Sequence, residues 1–217
     1  ELIIGPMMYL MTEDVMKRLS SYVKQGGTFV STYITGYVNE NDLTYLGGWP
    51  QPLREMFGIK VTETDTLYPK DRNAVHYADQ SFEAKDYCSL FELEGAEVLG
   101  TYTEDFYAGK PAITRNKYGQ GAAYFIGART NLDFLEYFYG ELAKNKGLEN
   151  AWVIKGDPVV SVQSRDFENQ SYRFVMNFSE ETKEIQVATA CVDLLTRTTH
   201  PTILTLAPYE VLLLAEK

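Results

Sequence analysis

The segment Leu2–Tyr33, LIIGPMMYLMTEDVMKRLSSYVKQGGTFVSTY, decides the fold of the first part of the chain. Its start is a short apolar run closed by Gly-Pro, which is typical of a buried strand. Thr12 can cap a helix whose apolar residues recur at helical spacing from Val15 to Val23, and Gly26-Gly27 can end it. The β-branched and aromatic run TFVSTY then predicts a second buried strand. Strand, helix and strand predict a βαβ unit on a parallel sheet.

Beyond this unit the patterns predict a mixed set of elements up to residue 149. PLREMFGI indicates a short helix stopped by Gly58, and KVTETDTLY and SFEAKDYCSLFEL indicate strands at or beyond the sheet edge. AEVLGTY adds a strand, and KPAITRNKYGQGAAYFIGA predicts a hairpin that turns at NKYGQG. Asn131 opens an amphipathic helix that ends at Gly147. The first domain, residues 1–149, is therefore expected to be α/β, with a parallel-rich sheet and flanking helices.

From residue 150 onward the hydrophobic period changes to two. Six short strands with polar turns follow in fewer than seventy residues, which predicts a small antiparallel β-sandwich over residues 150–217. In SYRFVMNFS, four large apolar side chains alternate with other residues, and we expect that set to face the core: Tyr172, Phe174, Met176 and Phe178.

Composition limits the partners of the 217-residue chain. Twenty basic residues against thirty acidic ones give a formal net charge of −10, which repels nucleic acid and anionic membranes. The sequence contains no run of 18 apolar residues, so it predicts no membrane-spanning helix. The two cysteines, Cys88 and Cys191, fit no disulfide framework, so we expect a reducing, cytoplasmic setting.

The sequence predicts no catalytic, metal-binding or cofactor-binding site. Gly26-Gly27 follows a helix and precedes a strand, the reverse of a phosphate-binding loop. No Gly-x-Ser-x-Gly or Gly-x-Cys-x-Gly elbow occurs, and the histidines, His76 and His200, lie in different predicted domains. The carboxylate pairs Glu40/Asp42 and Glu63/Asp65 match no cleft and are interpreted as solvated or interface residues.

The quoted motifs together resemble one family. LIIGPMMYLMTEDVMKRLSSYVKQGGTFVSTYITGYVNENDLTYLGGWPQPLREMFGI, with GKPAITRNKYGQGAAYFIGA, resembles the non-catalytic middle domain of glycoside hydrolase family 42 β-galactosidases. YRFVMNFS and APYEVLLL resemble that family's C-terminal domain. Asn39 and Gln51 stand where the family pattern usually has Asp and Gly, which puts the local loop geometry in doubt.

The resemblance implies a structural role for this chain. It implies a flavodoxin-like domain, similar to class I glutamine amidotransferases but without their cysteine nucleophile, that mediates homotrimerisation. The catalytic glutamates would lie on a (β/α)₈ barrel, and we expect that barrel and the first βα unit of the middle domain to be missing from this sequence. The parent would hydrolyse terminal β-galactosides with retention, and this part alone would be inactive.

The loop after TFVSTY is the predicted contact surface with another subunit or with the barrel. Its exposed candidates are Tyr37, Asn39, Glu40, Asp42, Trp49, Pro50 and Arg54, because loops at the carboxyl ends of parallel strands present the variable surface of such sheets. Trp49 is either a core plug or an interface anchor. Two alternatives stay open: a carbohydrate-binding module that uses exposed aromatics, and a stand-alone amidotransferase-like hydrolase, which the missing nucleophile disfavours.

Overall fold

The computed structural model describes residues 2–51, 53–148 and 152–216. They form two compact units, Glu1–Lys146 and Gly147–Lys217. The predicted boundary between residues 149 and 150 lies outside the described residues, so the domain limits stay a prediction.

The described part of the first unit contains three helices. They are α1 (Glu13–Lys24), α2 (Arg54–Phe57) and α3 (Leu132–Asn145). The Thr12 hydroxyl accepts the amide of Val15, and the Asn131 side chain accepts the amide of Phe134, which confirms both predicted N-caps. Gly58 ends α2 with φ 63°, a left-handed conformation that a side chain would disfavour.

Nine strands in the described part of the first unit form one sheet, which these helices flank. The strands are β1 (Leu2–Gly5), β2 (Thr28–Thr32), β3 (Ile59–Thr66), β4 (Asn73–Tyr77), β5 (Gln80–Leu93), β6 (Glu97–Tyr102), β7 (Pro111–Tyr118), β8 (Gly121–Ile126) and β9 (Ala128–Thr130). Their order is β1-β2-β8-β7-β6-β4-β5-β3, and β9 pairs with β5.

The parallel part of the sheet confirms the predicted βαβ unit. β1 pairs in parallel with β2, and β2 pairs in parallel with β8. The other pairs between the described strands are antiparallel, so the sheet is mixed rather than parallel-rich. β1 is an edge strand whose Ile3 and Ile4 are exposed, so the expectation that this strand is buried is wrong.

The two faces of the sheet carry separate apolar cores because side chains alternate along each strand. Phe29 of β2 packs with Met16 of α1 on one face. The next residue, Val30, packs with Phe134 and Phe138 of α3 on the other face. Both faces of β2 are therefore covered by helices, which leaves the strand ends and the loops as candidate functional surfaces.

The second unit consists of strands in two antiparallel sheets, as the period-two pattern predicts. One sheet has the order β10-β13-β16 and the other has the order β11-β12-β17-β14-β15. Their bounds are β10 (Val153–Lys155), β11 (Val160–Phe167), β12 (Gln170–Asn177), β13 (Lys183–Val187), β14 (Cys191–Asp193), β15 (Thr199–His200), β16 (Ile203–Leu206) and β17 (Val211–Glu216).

The predicted core face of β12 is wrong. Val175 and Asn177 are buried, whereas Phe174 and Phe178 are exposed. The amide of Asn177 donates to the carbonyls of Glu181 and Ala207 at 2.8 and 2.9 Å, so this polar side chain is satisfied inside. Alternating side chains on a strand allow either of its faces to be buried. In β12 the buried face is the less apolar one, and the hydrogen bonds of Asn177 satisfy its polar side chain there.

Candidate functional site

The loop after β2 folds as a small hairpin of its own. The amide of Asn39 donates to the carbonyl of Leu43, and the amide of Tyr45 donates to the carbonyl of Tyr37. The Tyr45 hydroxyl donates to the carbonyl of Met11 at 2.8 Å and ties this hairpin to the start of α1. The segment is a defined surface feature that the body of the unit holds in place.

Asn39 and Asp42 support the tip of this hairpin. The Asn39 side-chain oxygen accepts the amides of Asn41 and Leu43 at 2.9 and 3.1 Å, a turn that Asp would also form. Asp42 has φ 58°, and its carboxylate accepts the hydroxyl of Tyr9 at 3.3 Å. The departure at Asn39 from the family pattern therefore leaves the tip geometry intact.

Tyr37, Trp49 and Pro50 form the inner frame of the loop. The rings of Tyr37 and Trp49 stack with centroids 4.2 Å apart, and the Tyr37 hydroxyl lies 2.9 Å from the Thr64 hydroxyl. Trp49 is half-buried and its backbone pairs with Val61, while Pro50 is buried. The expectation that Pro50 is exposed is wrong, and the geometry of Trp49 favours the core plug over the exposed anchor.

Arg54 clamps the loop to the body of the unit. Its guanidinium donates through two nitrogens to the carboxylate of Glu94 and through a third to the carbonyl of Gly47. Arg54 holds the pKa of the Glu94 carboxyl below its usual value. The fork geometry explains why an arginine, with several fixed donors, stands at this position.

Two exposed leucines, neither of them among the predicted contact residues, lie on the loop. Leu46 is 88% exposed and Leu43 is 62% exposed, beside the acidic side chains of Glu40 and Asp42. We call residues 39–46 the acidic leucine loop. Single exposed leucines need no explanation, but two on one ordered loop form an apolar feature of the kind that marks contact sites. Their signal was present in the motif NDLTYLGG.

In the described part of the chain, the cysteine, carboxylate and histidine side chains considered above as candidates for catalysis or metal binding do not form such a site. Burial raises the pKa of the Cys88 thiol to about 11, so it is not a nucleophile at neutral pH. Asp65 accepts the Tyr107 hydroxyl at 2.8 Å. His76 and His200 belong to different units. The described residues contain no group of three or more His, Cys, Asp or Glu placed to hold a metal ion.

The tryptophans on which a carbohydrate-binding module could rely are covered. Trp152 is 5% exposed, and Trp49 has Tyr37 stacked on its ring. The exposed aromatics include Tyr68, Phe106 and Phe167. Within the described residues, no helix has the length and apolar character needed to cross a bilayer.

Comparison with known proteins explains this arrangement. The family model described as the β-galactosidase trimerisation domain matches residues 1–149, and the model of the β-galactosidase C-terminal domain matches residues 159–216. The chain belongs to the GH42 β-galactosidase family. The match covers both halves of the sequence and confirms the resemblance on which the structural role was predicted.

Relatives of this GH42 chain are much longer proteins. It is 48% identical over 209 residues to β-galactosidase GalA of Bacillus licheniformis, covering 96% of this chain and 31% of GalA. It is 46% identical to β-galactosidase GanA of Bacillus subtilis, again over 31% of the relative. The chain therefore spans about a third of the length of these curated relatives.

Solved GH42 structures share the fold of the whole chain. Gan42B, a GH42 β-galactosidase from G. stearothermophilus, superposes with a TM-score of 0.92 at 45% identity and covers 100% of this chain and 32% of its own. The β-galactosidase of Bacillus circulans sp. alkalophilus gives a TM-score of 0.90 at 34% identity over 100% of this chain and 33% of its own. These matches confirm the predicted α/β sheet with flanking helices and the antiparallel C-terminal part.

Proposed function

We propose that this chain is the trimer-forming accessory region of a β-galactosidase and that it acts by self-association rather than by chemistry. The family model for the trimerisation domain supports self-association as the role of residues 1–149. The longer protein would hydrolyse terminal β-galactosides with retention on a catalytic barrel outside this chain, in the cytoplasm. The first unit would be similar in fold to class I glutamine amidotransferases and would lack their cysteine nucleophile.

The acidic leucine loop carries the proposal. It is ordered by Asn39, Tyr45 and Arg54, so its side chains are held in place before any partner arrives. Preorganisation of this kind lowers the entropy cost of association. Leu43 and Leu46 supply the apolar surface, and Glu40 and Asp42 supply charge that can select the partner.

The predicted interface residues divide into two groups under this proposal. Glu40 is exposed, and Asp42 is exposed and accepts a hydrogen bond from the Tyr9 hydroxyl. These two residues would contact the neighbouring subunit directly. The others support the loop from within: Tyr37, Asn39, Trp49, Pro50 and Arg54. Their substitution would act on association through the shape of the loop.

Light scattering of the chain over a concentration series tests the proposal. We expect three times the 24.7 kDa monomer mass for the unmodified chain. Replacing Leu43 and Leu46 by serine should weaken association at least about tenfold, because it removes exposed apolar area and leaves the core untouched.

Phe106→Ser is the matched control, because it removes an apolar side chain that is 73% exposed and lies outside the loop. It should leave the mass unchanged. A monomer for the unmodified chain at every concentration would contradict the proposal.

A further inference from the structure

A second surface beside the acidic leucine loop has the properties of its receptor. A pocket of about 540 Å³ lies at the carboxyl ends of β1, β2 and β8, where open α/β sheets bind ligands. We call it the strand-end pocket. Its apolar walls include Ile4, Met7, Leu132 and Leu135, and this volume is in the range of pockets that hold real ligands.

The strand-end pocket offers two hydrogen-bond donors, Tyr33 and Lys85, that have no side-chain hydrogen-bond partner among the described residues. Tyr33 is 7% exposed and lines the pocket, and the described residues provide no hydrogen bond for its hydroxyl. Burial raises the pKa of Tyr33, so the hydroxyl stays protonated and able to donate at neutral pH. Lys85 lines the same pocket and has no ion-pair partner in the part of the chain that the structure describes.

The other charges of the pocket are already neutralised. Arg129 pairs with Asp86 at 2.6 Å, and Glu83 pairs with Arg72 at 3.3 Å. The ammonium of Lys85 is therefore the charge left for an incoming group, and that group should be an anion. The acidic leucine loop is anionic and apolar, as this pocket requires.

The backbone is strained where the pocket meets the strand ends. Met7 has φ 47° and Ile34, which follows Tyr33, has φ 56°. A β-branched residue rarely adopts such a conformation, and strain of this kind concentrates at functional sites. Met7 lines the pocket and Tyr9, two residues later, donates to Asp42, so the pocket and the loop are neighbours.

Symmetry requires two different surfaces in a trimer. A twofold contact joins a patch to its own copy, whereas a threefold ring joins one patch to a second, different patch on the next subunit. The strand-end pocket is a second, different surface of the kind that such a ring can use.

We propose that the acidic leucine loop of one copy enters the strand-end pocket of the next copy. Leu46 enters the apolar part of the pocket, and a carboxylate of the loop meets Lys85 and the hydroxyl of Tyr33. This inference rests on the proposed function and specifies both halves of the interface. It also explains how a chain with a net charge of −10 associates with itself, since Lys85, which has no ion-pair partner among the described residues, meets the loop's acids.

A pair of defective variants tests this contact. The loop variant carries Leu43→Ser and Leu46→Ser. The pocket variant is Leu132→Glu, which places a negative charge in the pocket at a residue that is 66% exposed, in the first turn of α3 where acids are favourable. Both variants should therefore fold, and each alone should lose the trimer.

Mixing the two variants separates the possible contacts. The loop variant keeps an intact pocket and the pocket variant keeps an intact loop, so a 1:1 mixture should form a heterodimer through one good interface. A contact between identical loops would not be restored by mixing. A mixture that stays monomeric, or a Leu132→Glu chain that is still a trimer, would overturn the inference. The proposed function would stand in either case, provided that the unmodified chain is a trimer.

A charge exchange provides a second, independent measurement. Lys85→Glu should weaken association at least about tenfold, and adding Glu40→Lys with Asp42→Lys should recover most of that loss. Lys70→Glu, an exposed change outside both surfaces, is the control and should have no such effect. Failure of the exchange to recover any association would overturn the pairing. A monomeric unmodified chain would overturn the proposed function and this inference together.

Discussion

Asn177 shows at the residue scale how a polar side chain can hold a small core together. Its amide donates to two carbonyls and its oxygen accepts the amide and hydroxyl of Ser179 at 3.0 and 2.8 Å. We expect Asn177→Ala to lower the free energy of unfolding of this unit by about 2–4 kcal/mol, because buried carbonyls lose their donor. Urea unfolding measures this. Asn169→Gly, at an exposed turn residue with φ 66°, is the control and should change stability little.

Arg54 illustrates the element scale, where one side chain fixes a whole loop. We expect Arg54→Lys to increase proteolysis of the 39–49 segment at least about threefold, because a lysine offers one nitrogen in place of the three that Arg54 spreads over Glu94 and the Gly47 carbonyl. Limited proteolysis with mass spectrometry measures the cleavage rate. Arg18→Lys, in an exposed pair with Asp14 on α1, should leave the rate unchanged. Equal protection in both variants would show that the clamp does not order the loop.

Elements defined by local signals were predictable from the sequence. Thr12 and Asn131 mark helix starts, and the NKYGQG turn marks the β7–β8 hairpin. β4 and β9 were missed because their burial depends on pairing with the 14-residue β5 rather than on their own pattern. The buried face of β12 was misassigned because its alternation suits both faces and only the contacts of Asn177 decide.

At the scale of the whole molecule, the role of Trp49 follows from its place in the frame. We expect Trp49→Ala to weaken self-association and to lower the Tm, because the stack on Tyr37 and the packing under the loop are both lost. Leu46→Ser should weaken association with an unchanged Tm, since that side chain is 88% exposed. Light scattering and calorimetry on the same samples measure the two effects. If Trp49→Ala abolishes association but leaves the Tm unchanged, Trp49 acts as an interface anchor and not as a core residue under the loop.

The sequence was enough to propose the loop as a contact surface, which stays a prediction, but not to predict which of its residues are exposed and which support it. The family resemblance and the position after a parallel strand both point to the loop that contains Glu40 and Asp42. Which residues face outward depends on tertiary contacts such as Tyr45 to Met11 and Arg54 to Glu94. The strand-end pocket was missed entirely, because Tyr33, Lys85 and Leu132 come together only through the sheet order.

The parallel pairing of β2 with β8 has a consequence for synthesis on the ribosome. Thr28 pairs with Ala122, so 94 residues separate the partners along the chain (122 − 28). At about 5–20 residues per second, the nascent β1–α1–β2 unit waits roughly 5–20 s for its neighbour strand to be made. During that time Phe29 can pack against Met16 of α1, but the partners of Val30 on α3, Phe134 and Phe138, have not yet been made. Contacts this distant also slow folding of the finished chain, so β1 and β2 are secured only after the much later strand β8 has been made.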